Sequence, residues 1–168
     1  NGEGVTLNNM ALIYEQQGKY EQALQYYQQS LGICQEVGDR KGEGRALNNI
    51  AGVHYAQGEY EQALQYYKEA LPIRREAGDK AGEGKTLNNI ATIYRAQGEP
   101  SKALEYQQQD LAICQEVGDR AGEGESRWNM GLTYAALGDL AKAEEYIAQA
   151  VEIEEAIGHP DAVSDRQK

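Results

Sequence analysis

The chain repeats itself every 40 residues, and this period limits its possible folds more than any other feature. Gly2-Glu3-Gly4 returns as Gly42-Glu43-Gly44, Gly82-Glu83-Gly84 and Gly122-Glu123-Gly124, and the block YEQALQYY at Tyr20 to Tyr27 recurs at Tyr60 to Tyr67. A fixed period of this size marks stacked supersecondary units, each burying its apolar face against its neighbours. The length of 168 residues would suit one ordinary domain. The periodicity predicts instead a single array over residues 1–160, with repeats at 1–40, 41–80, 81–120 and 121–160. An elongated scaffold offers a long surface and seldom a deep catalytic pocket, which directs the function toward binding.

Glycines punctuate each copy twice. Gly18, Gly58, Gly98 and Gly138 fall midway, while Gly38-Asp39, Gly78-Asp79, Gly118-Asp119 and Gly158-His159-Pro160 close the copies. Glycine supplies the left-handed residue that ends one helix, and a following acceptor caps the next. This spacing predicts two antiparallel helices per repeat, each of about 16 to 18 residues, eight in all. Asp161 to Lys168 reads as the truncated start of a following, capping helix. Asn1 is not an initiator methionine, so the chain is expected to be a segment of something longer.

Helical periodicity defines a packing stripe in each first helix: Leu47, Ile50, Ala51, Val53 and His54 in repeat 2, matched by Leu7, Met10, Ala11, Ile13 and Tyr14 in repeat 1. Leu87, Ile90, Ala91, Ile93 and Tyr94 follow in repeat 3, then Met130, Gly131, Thr133 and Tyr134. The second helices contribute Ala23, Leu24, Tyr27 and Leu31, with Ala63, Leu64, Tyr67 and Leu71 in register. There is no Phe, so the 12 tyrosines carry the aromatic packing, and a buried hydroxyl needs a partner. Pro72 lies well inside the second helix of repeat 2, where a bend with continuation of the helix is expected. Cys34 and Cys114 share one repeat position, two repeats apart, too far for a disulfide between stacked helices; both read as reduced thiols at the edge of the packed face.

The order Leu47, Ile50-Ala51, His54 (Tyr in the other copies), Gly58, Tyr60, Ala63, Tyr67, Ala70 resembles the tetratricopeptide repeat signature. The likeness runs from residue 1 to about 157, and the 40-residue period resembles the long-helix subclass of Pins/LGN-type scaffolds and of bacterial multidomain signalling arrays. The resemblance implies an all-α, right-handed superhelical solenoid of four helix-turn-helix repeats with a short C-terminal tail. It further implies a concave groove, lined by the first helix of each repeat, that takes a peptide or protein segment.

A second stripe runs along the first helices at i, i+3, i+4, i+7 spacing. It carries Asn8, Asn9 and Leu12; Arg45, Asn48, Asn49 and Tyr55; Lys85, Asn88, Asn89 and Arg95; then Trp128 and Asn129. Asn is a poor helix former, so its recurrence in mid-helix requires a compensating interaction. A carboxamide both donates and accepts, which suits the unpaired amides of an extended peptide; the structural alternative is that one Asn of each pair bonds to the adjacent repeat and sets helix spacing. Arg45, Lys85 and Arg95 would suit an acidic peptide or terminal carboxylate, and Trp128 an aromatic anchor. The resemblance stops short of the carboxylate-clamp subset, because Leu12 stands where that clamp has Asn and Asn8 where it has Lys.

Other functions are disfavoured. A net charge of −11 argues against nucleic acid and anionic membranes as partners, and no apolar run approaches a membrane span. A cytoplasmic location is the expectation from a sequence without a leader. No nucleophile motif, Cys/His metal cluster or phosphate loop is present, so neither an enzyme, a cofactor nor a metal is expected. His54 replaces a core tyrosine, and His159 lies in a turn. Two further roles stay open: a spacer that assembles end to end, and a ligand-sensing module of a larger bacterial signalling protein.

Overall fold

A computed structural model describes residues 2–158; the predicted capping helix at 161–168 lies outside the described residues. Eight helices appear, paired in four helix-turn-helix repeats with no strand among the described residues: α1 (Gly2–Gln16), α2 (Tyr20–Val37), α3 (Arg40–Ala56), α4 (Tyr60–Glu76), α5 (Lys80–Ala96), α6 (Pro100–Val117), α7 (Arg120–Ala136) and α8 (Leu140–Gly158). The chain forms two compact units, residues 1–86 and 87–168. α4 continues through Pro72, and Pro100 opens α6 in the first turn, where a missing N–H costs nothing.

The glycine punctuation has the expected physical basis. Gly18, Gly38, Gly58, Gly78, Gly98, Gly118 and Gly138 all have φ between 65° and 80°, a region other residues enter at a cost. Capping by the next residue holds only where its side chain is short. Asp39 accepts from Gly42 N at 2.9 Å, Asp79 from Gly82 N at 3.3 Å, Asp119 from Gly122 N at 2.9 Å, and Asp139 from Lys142 N at 3.2 Å. Lys19 and Glu59 make no such bond, since an ammonium cannot accept and the longer glutamate does not fold back.

The Gly-Glu-Gly starts are junction elements. A Cβ on Gly42 would sit 2.5 Å from Asp39 Oδ2 and 2.6 Å from Cys34 Sγ; on Gly122 it would sit 2.6 Å from Asp119 Oδ2 and 2.9 Å from Cys114 Sγ. Glu3 is exposed, whereas Glu43, Glu83 and Glu123 are buried and held from two sides. Gln35 and Arg40 bind Glu43, Arg75 and Lys80 hold Glu83, and Gln115 and Arg120 bind Glu123. Burial alone would push the Glu123 carboxyl up, but Arg127, Gln115 and Arg120 together hold it below its ordinary value. Gly122→Val is expected to cost about 2 kcal/mol through overpacking. At Gly32 an added Cβ would meet nothing within 4 Å, so Gly32→Ala is expected to gain about 0.5–1 kcal/mol; urea unfolding of both variants checks the pair.

In unit 1 the core gathers around Ala11, Ala23, Tyr27, Ile50 and Val53. The Tyr27 hydroxyl donates to Glu15 Oε2 at 2.7 Å. A ring pair recurs in every repeat: Tyr14 on Tyr26, His54 on Tyr66, Tyr94 on Tyr106 and Tyr134 on Tyr146, with centroids 5.2 to 5.6 Å apart. His54 packs as predicted on this stack, with Nδ1 2.6 Å from Glu59 Oε2. Cys34 and Cys114 are buried and free, and burial is the first cause that pushes the Cys114 thiol up to about 12.

Two assignments to the packing stripe fail. Met10 is 36% and Ile13 55% exposed, whereas their counterparts Ile50 and Val53 are fully buried. Ile50 and Val53 join Ala11, Ala23 and Tyr27 of the preceding repeat in one core, and no preceding repeat covers α1 among the described residues.

Candidate peptide-binding groove

The second stripe of unit 1 borders an open groove of about 580 Å³. α1 contributes Val5, Asn8 and Leu12 to its wall, α3 contributes Arg45, Asn48 and Asn49, and α5 contributes Lys85. These side chains meet because helix positions 40 residues apart occupy equivalent places on successive first helices. Of the other predicted residues in this unit, Asn9 and Tyr55 are exposed but do not line the groove.

The asparagines form rungs between repeats. Asn49 Nδ2 donates to Asn8 Oδ1 at 3.0 Å, and in unit 2 Asn129 Nδ2 donates to Asn88 Oδ1 at 3.2 Å. Asn48 Oδ1 lies 3.1 Å from Thr86 Oγ1. In the Asn48-Asn49 pair both members are therefore used inside the scaffold, the first as acceptor and the second as donor. This bonding explains the tolerance of a weak helix former in mid-helix. Asn8 and Asn48 are nearly buried yet still reach the groove wall, and their Nδ2 groups have no other partner among the described residues.

Unit 2 places its predicted residues differently. Asn88 and Asn89 are half-buried, and Asn88 Nδ2 also reaches Glu125 Oε1 at 3.3 Å. Arg95 is half-buried with Nη1 sealed from solvent and unpaired; Gln107 Oε1 is sealed and unpaired as well. Arg95 and Gln107 occupy the positions of Glu15 and Tyr27, so a donor and an acceptor replace that hydrogen-bonded pair without bonding directly. Trp128 is 45% exposed and faces a separate cavity of about 490 Å³, with Gly124, Ile153 and Ile157.

The site also contains a residue that pattern reasoning passed over. Arg74, from the second helix of repeat 2, is only 5% exposed and lines the unit 1 groove. Its Nε donates to Gly44 O at 3.3 Å and its Nη1 lies 3.5 Å from Asp79 Oδ2. The available signal was its placement: the same repeat position holds Cys34, Cys114 and Glu154. Among the described residues, no group of three or more His, Cys, Asp or Glu could hold a metal, and no helix is long and apolar enough to cross a membrane.

Comparison with known proteins places these features in a wider set. A profile of the tetratricopeptide repeat family matches residues 3–76 and 82–156. Among solved structures, BtubC (BKLC) from P. vanneervenii shares 26% identity over 93% of this chain and 65% of its own, with a TM-score of 0.84. Aspartyl phosphate phosphatase F from Bacillus subtilis shares 18% identity over 98% of this chain and 43% of its own, with a TM-score of 0.88. A Rap protein complexed with competence and sporulation factor shares 20% identity over 96% of this chain and 46% of its own, with a TM-score of 0.75. The chain thus spans less than two thirds of the length of each of these structures. No match was found among curated proteins.

Proposed function

The chain belongs to the tetratricopeptide repeat family, generally a protein–protein interaction module and typically non-catalytic, and from that premise we propose that it binds an extended peptide or protein segment along the first-helix face. The observation that carries this reading is the open groove of unit 1, walled by equivalent positions of α1, α3 and α5. An extended chain has unpaired backbone amides, and the spare Nδ2 donors of Asn8 and Asn48 suit its carbonyls. In unit 2 the same stripe offers Asn88, Asn89, Arg95, Trp128 and Asn129. The complex of a Rap protein with competence and sporulation factor supports the assignment of a bound partner to this fold. The 40-residue period aligns the chain with long-helix arrays of the Pins/LGN type and of bacterial signalling proteins, in which a sensing role would couple to parts outside this sequence.

Val5→Trp with Leu12→Trp fills the groove without changing charge. Peptides selected from a displayed random dodecapeptide library on the wild-type chain are expected to lose about tenfold in affinity for the double variant. Undiminished binding would remove the groove assignment.

A second reading, end-to-end assembly, is favoured by the uncovered α1 face. Met10 and Ile13 are exposed there, although Ile50 and Val53, which match them, are covered. A second copy would bury them through a heterologous contact, which propagates. Sedimentation at rising concentration should show oligomers that Met10→Lys with Ile13→Lys abolishes. A strict monomer excludes this reading.

A further inference from the structure

The unit 1 groove has a charge that the rest of the molecule does not share. Four cations line it, Lys41, Arg45, Arg74 and Lys85, against two carboxylates, Asp39 and Asp79. Both carboxylates are already engaged. Asp39 caps Gly42 N at 2.9 Å, while Asp79 accepts from Gly82 N at 3.3 Å and faces both Arg74 Nη1 at 3.5 Å and Lys41 Nζ at 3.9 Å. Arg45 and Lys85 have no hydrogen-bond or ion-pair partner among the described residues. The groove therefore holds an uncompensated positive charge in a chain of net charge −11.

Arg45 also bears electrostatically on Arg74. Burial lowers the proton affinity of the Arg74 guanidinium, Asp79 offsets part of this, and Arg45 lowers it further. Arg74 is held in place by Gly44 O and by Gly82, whose missing Cβ leaves room for the guanidinium. Asp79 faces Arg74 and Lys41, which leaves the Arg45 guanidinium and the Lys85 ammonium without a counter-ion; guanidinium forks match carboxylate geometry, so the groove has room for a second anion. The corresponding positions in unit 2 carry Glu125 and Glu154, beside the cavity that includes Trp128. The equivalent positions of unit 2 therefore carry negative charge where the unit 1 groove carries positive charge.

We propose that Arg45, Arg74 and Lys85 form a carboxylate-binding subsite, which selects acidic peptides within the groove. This assignment rests on the groove reading above and adds the chemistry of the ligand. The carboxylate has two possible sources, an Asp or Glu side chain or a peptide C-terminus.

The test uses the whole chain, 15N-labelled, titrated at low and at 0.3 M salt and followed by two-dimensional NMR. The probes are an acetylated, amidated Glu-Ala octapeptide, its Gln-Ala analogue with an amidated end, and the same Gln-Ala peptide with a free C-terminus. Either carboxylate-bearing probe should bind at least about tenfold more tightly than the amidated Gln-Ala peptide, with salt weakening it, and whichever probe does so identifies the source. Arg45→Gln with Lys85→Gln should remove that preference. Arg74→Cys, which copies the residue of repeats 1 and 3, should reduce it severalfold. Lys102→Gln with Lys142→Gln removes two charges outside the groove and should leave it unchanged.

Equal binding of all three peptides, or no binding of any, overturns the proposal. So does an equal loss in the Lys102 and Lys142 variant, which would mark the attraction as a general charge effect. If Val5→Trp with Leu12→Trp blocks all three peptides equally while the cation variants block none, the groove stands and the carboxylate subsite fails. If the cation variants abolish the preference but the Trp pair does not, the subsite stands and the groove reading fails.

Discussion

Replacing Asp110 with Asn should stabilise the protein at pH 7.5 and leave it nearly unchanged at pH 4. Asp110 lies in α6 with only 7% of its surface exposed, and no cation among the described residues pairs with it. Burial pushes its carboxyl up to about 6; hydrogen bonds from Ser126 and Cys114 oppose the shift, while Glu125 and Asp119 add to it. The unfolded chain has an ordinary aspartate, with a pKa of about 3.9. Between these values the folded state binds more protons than the unfolded state, so stability is complete below about pH 4 and falls as pH rises through about 6. After allowance for solvent screening the loss at neutral pH is about 1–2 kcal/mol, or about 3–6 °C in Tm. Thermal melts of wild type and variant at both pH values measure the difference between them, which cancels the titration of other carboxylates. A Tm gain equal at pH 4 and 7.5 would show that the charge is not responsible. Asp110→Ser provides a second arm, since Ser30 occupies the same position in repeat 1 and donates to Gly4 O at 2.8 Å.

Tyr27→Ala should be the most destabilising single change in unit 1, costing about 4 kcal/mol. The side chain is fully buried at the centre of the core cluster and its hydroxyl is bound by Glu15. Removing the ring opens a cavity between α1, α2 and α3, and the neighbouring aliphatic residues cannot fill it. Tyr27→Phe isolates the polar component and should cost about 1–2 kcal/mol, because Glu15 loses its donor. Tyr67 holds the equivalent place in repeat 2, where Tyr55 replaces Glu15; Tyr67→Phe should stay within about 0.5 kcal/mol. Urea unfolding of the three variants separates cavity from hydrogen bond. Equal effects of the two Phe substitutions would show that the Glu15 contact contributes nothing.

The features that recur from repeat to repeat were the easiest to read. Seven glycines with positive φ, the Asp caps and the small residues of the Gly-Glu-Gly starts each follow from local backbone requirements, so sequence spacing was enough. Met10 and Ile13 escaped because periodicity shows which face is apolar and not whether a neighbour covers it. The asparagine rungs were legible as a recurrence, but the pairing of Asn8 with Asn49 needed three-dimensional register. Arg74 was hidden for a different reason. A guanidinium on a packed face is rare, and its place at the groove depends on the space left by Gly82, a residue on another helix.

The amide rungs also carry information about order. Each runs backward, from the second position of the pair in one repeat to the first position in the repeat before it, as from Asn49 to Asn8 and from Asn129 to Asn88. A shift of one residue at such a junction would bring a different side chain opposite the donor and leave the amide unmatched. The rungs thus act as a reading frame, which permits insertion or deletion in whole 40-residue steps and penalises any other length. A duplicate of residues 41–80 would enter with Asn48 and Asn49 ready at the junction, and would extend the protein without rewriting the rest.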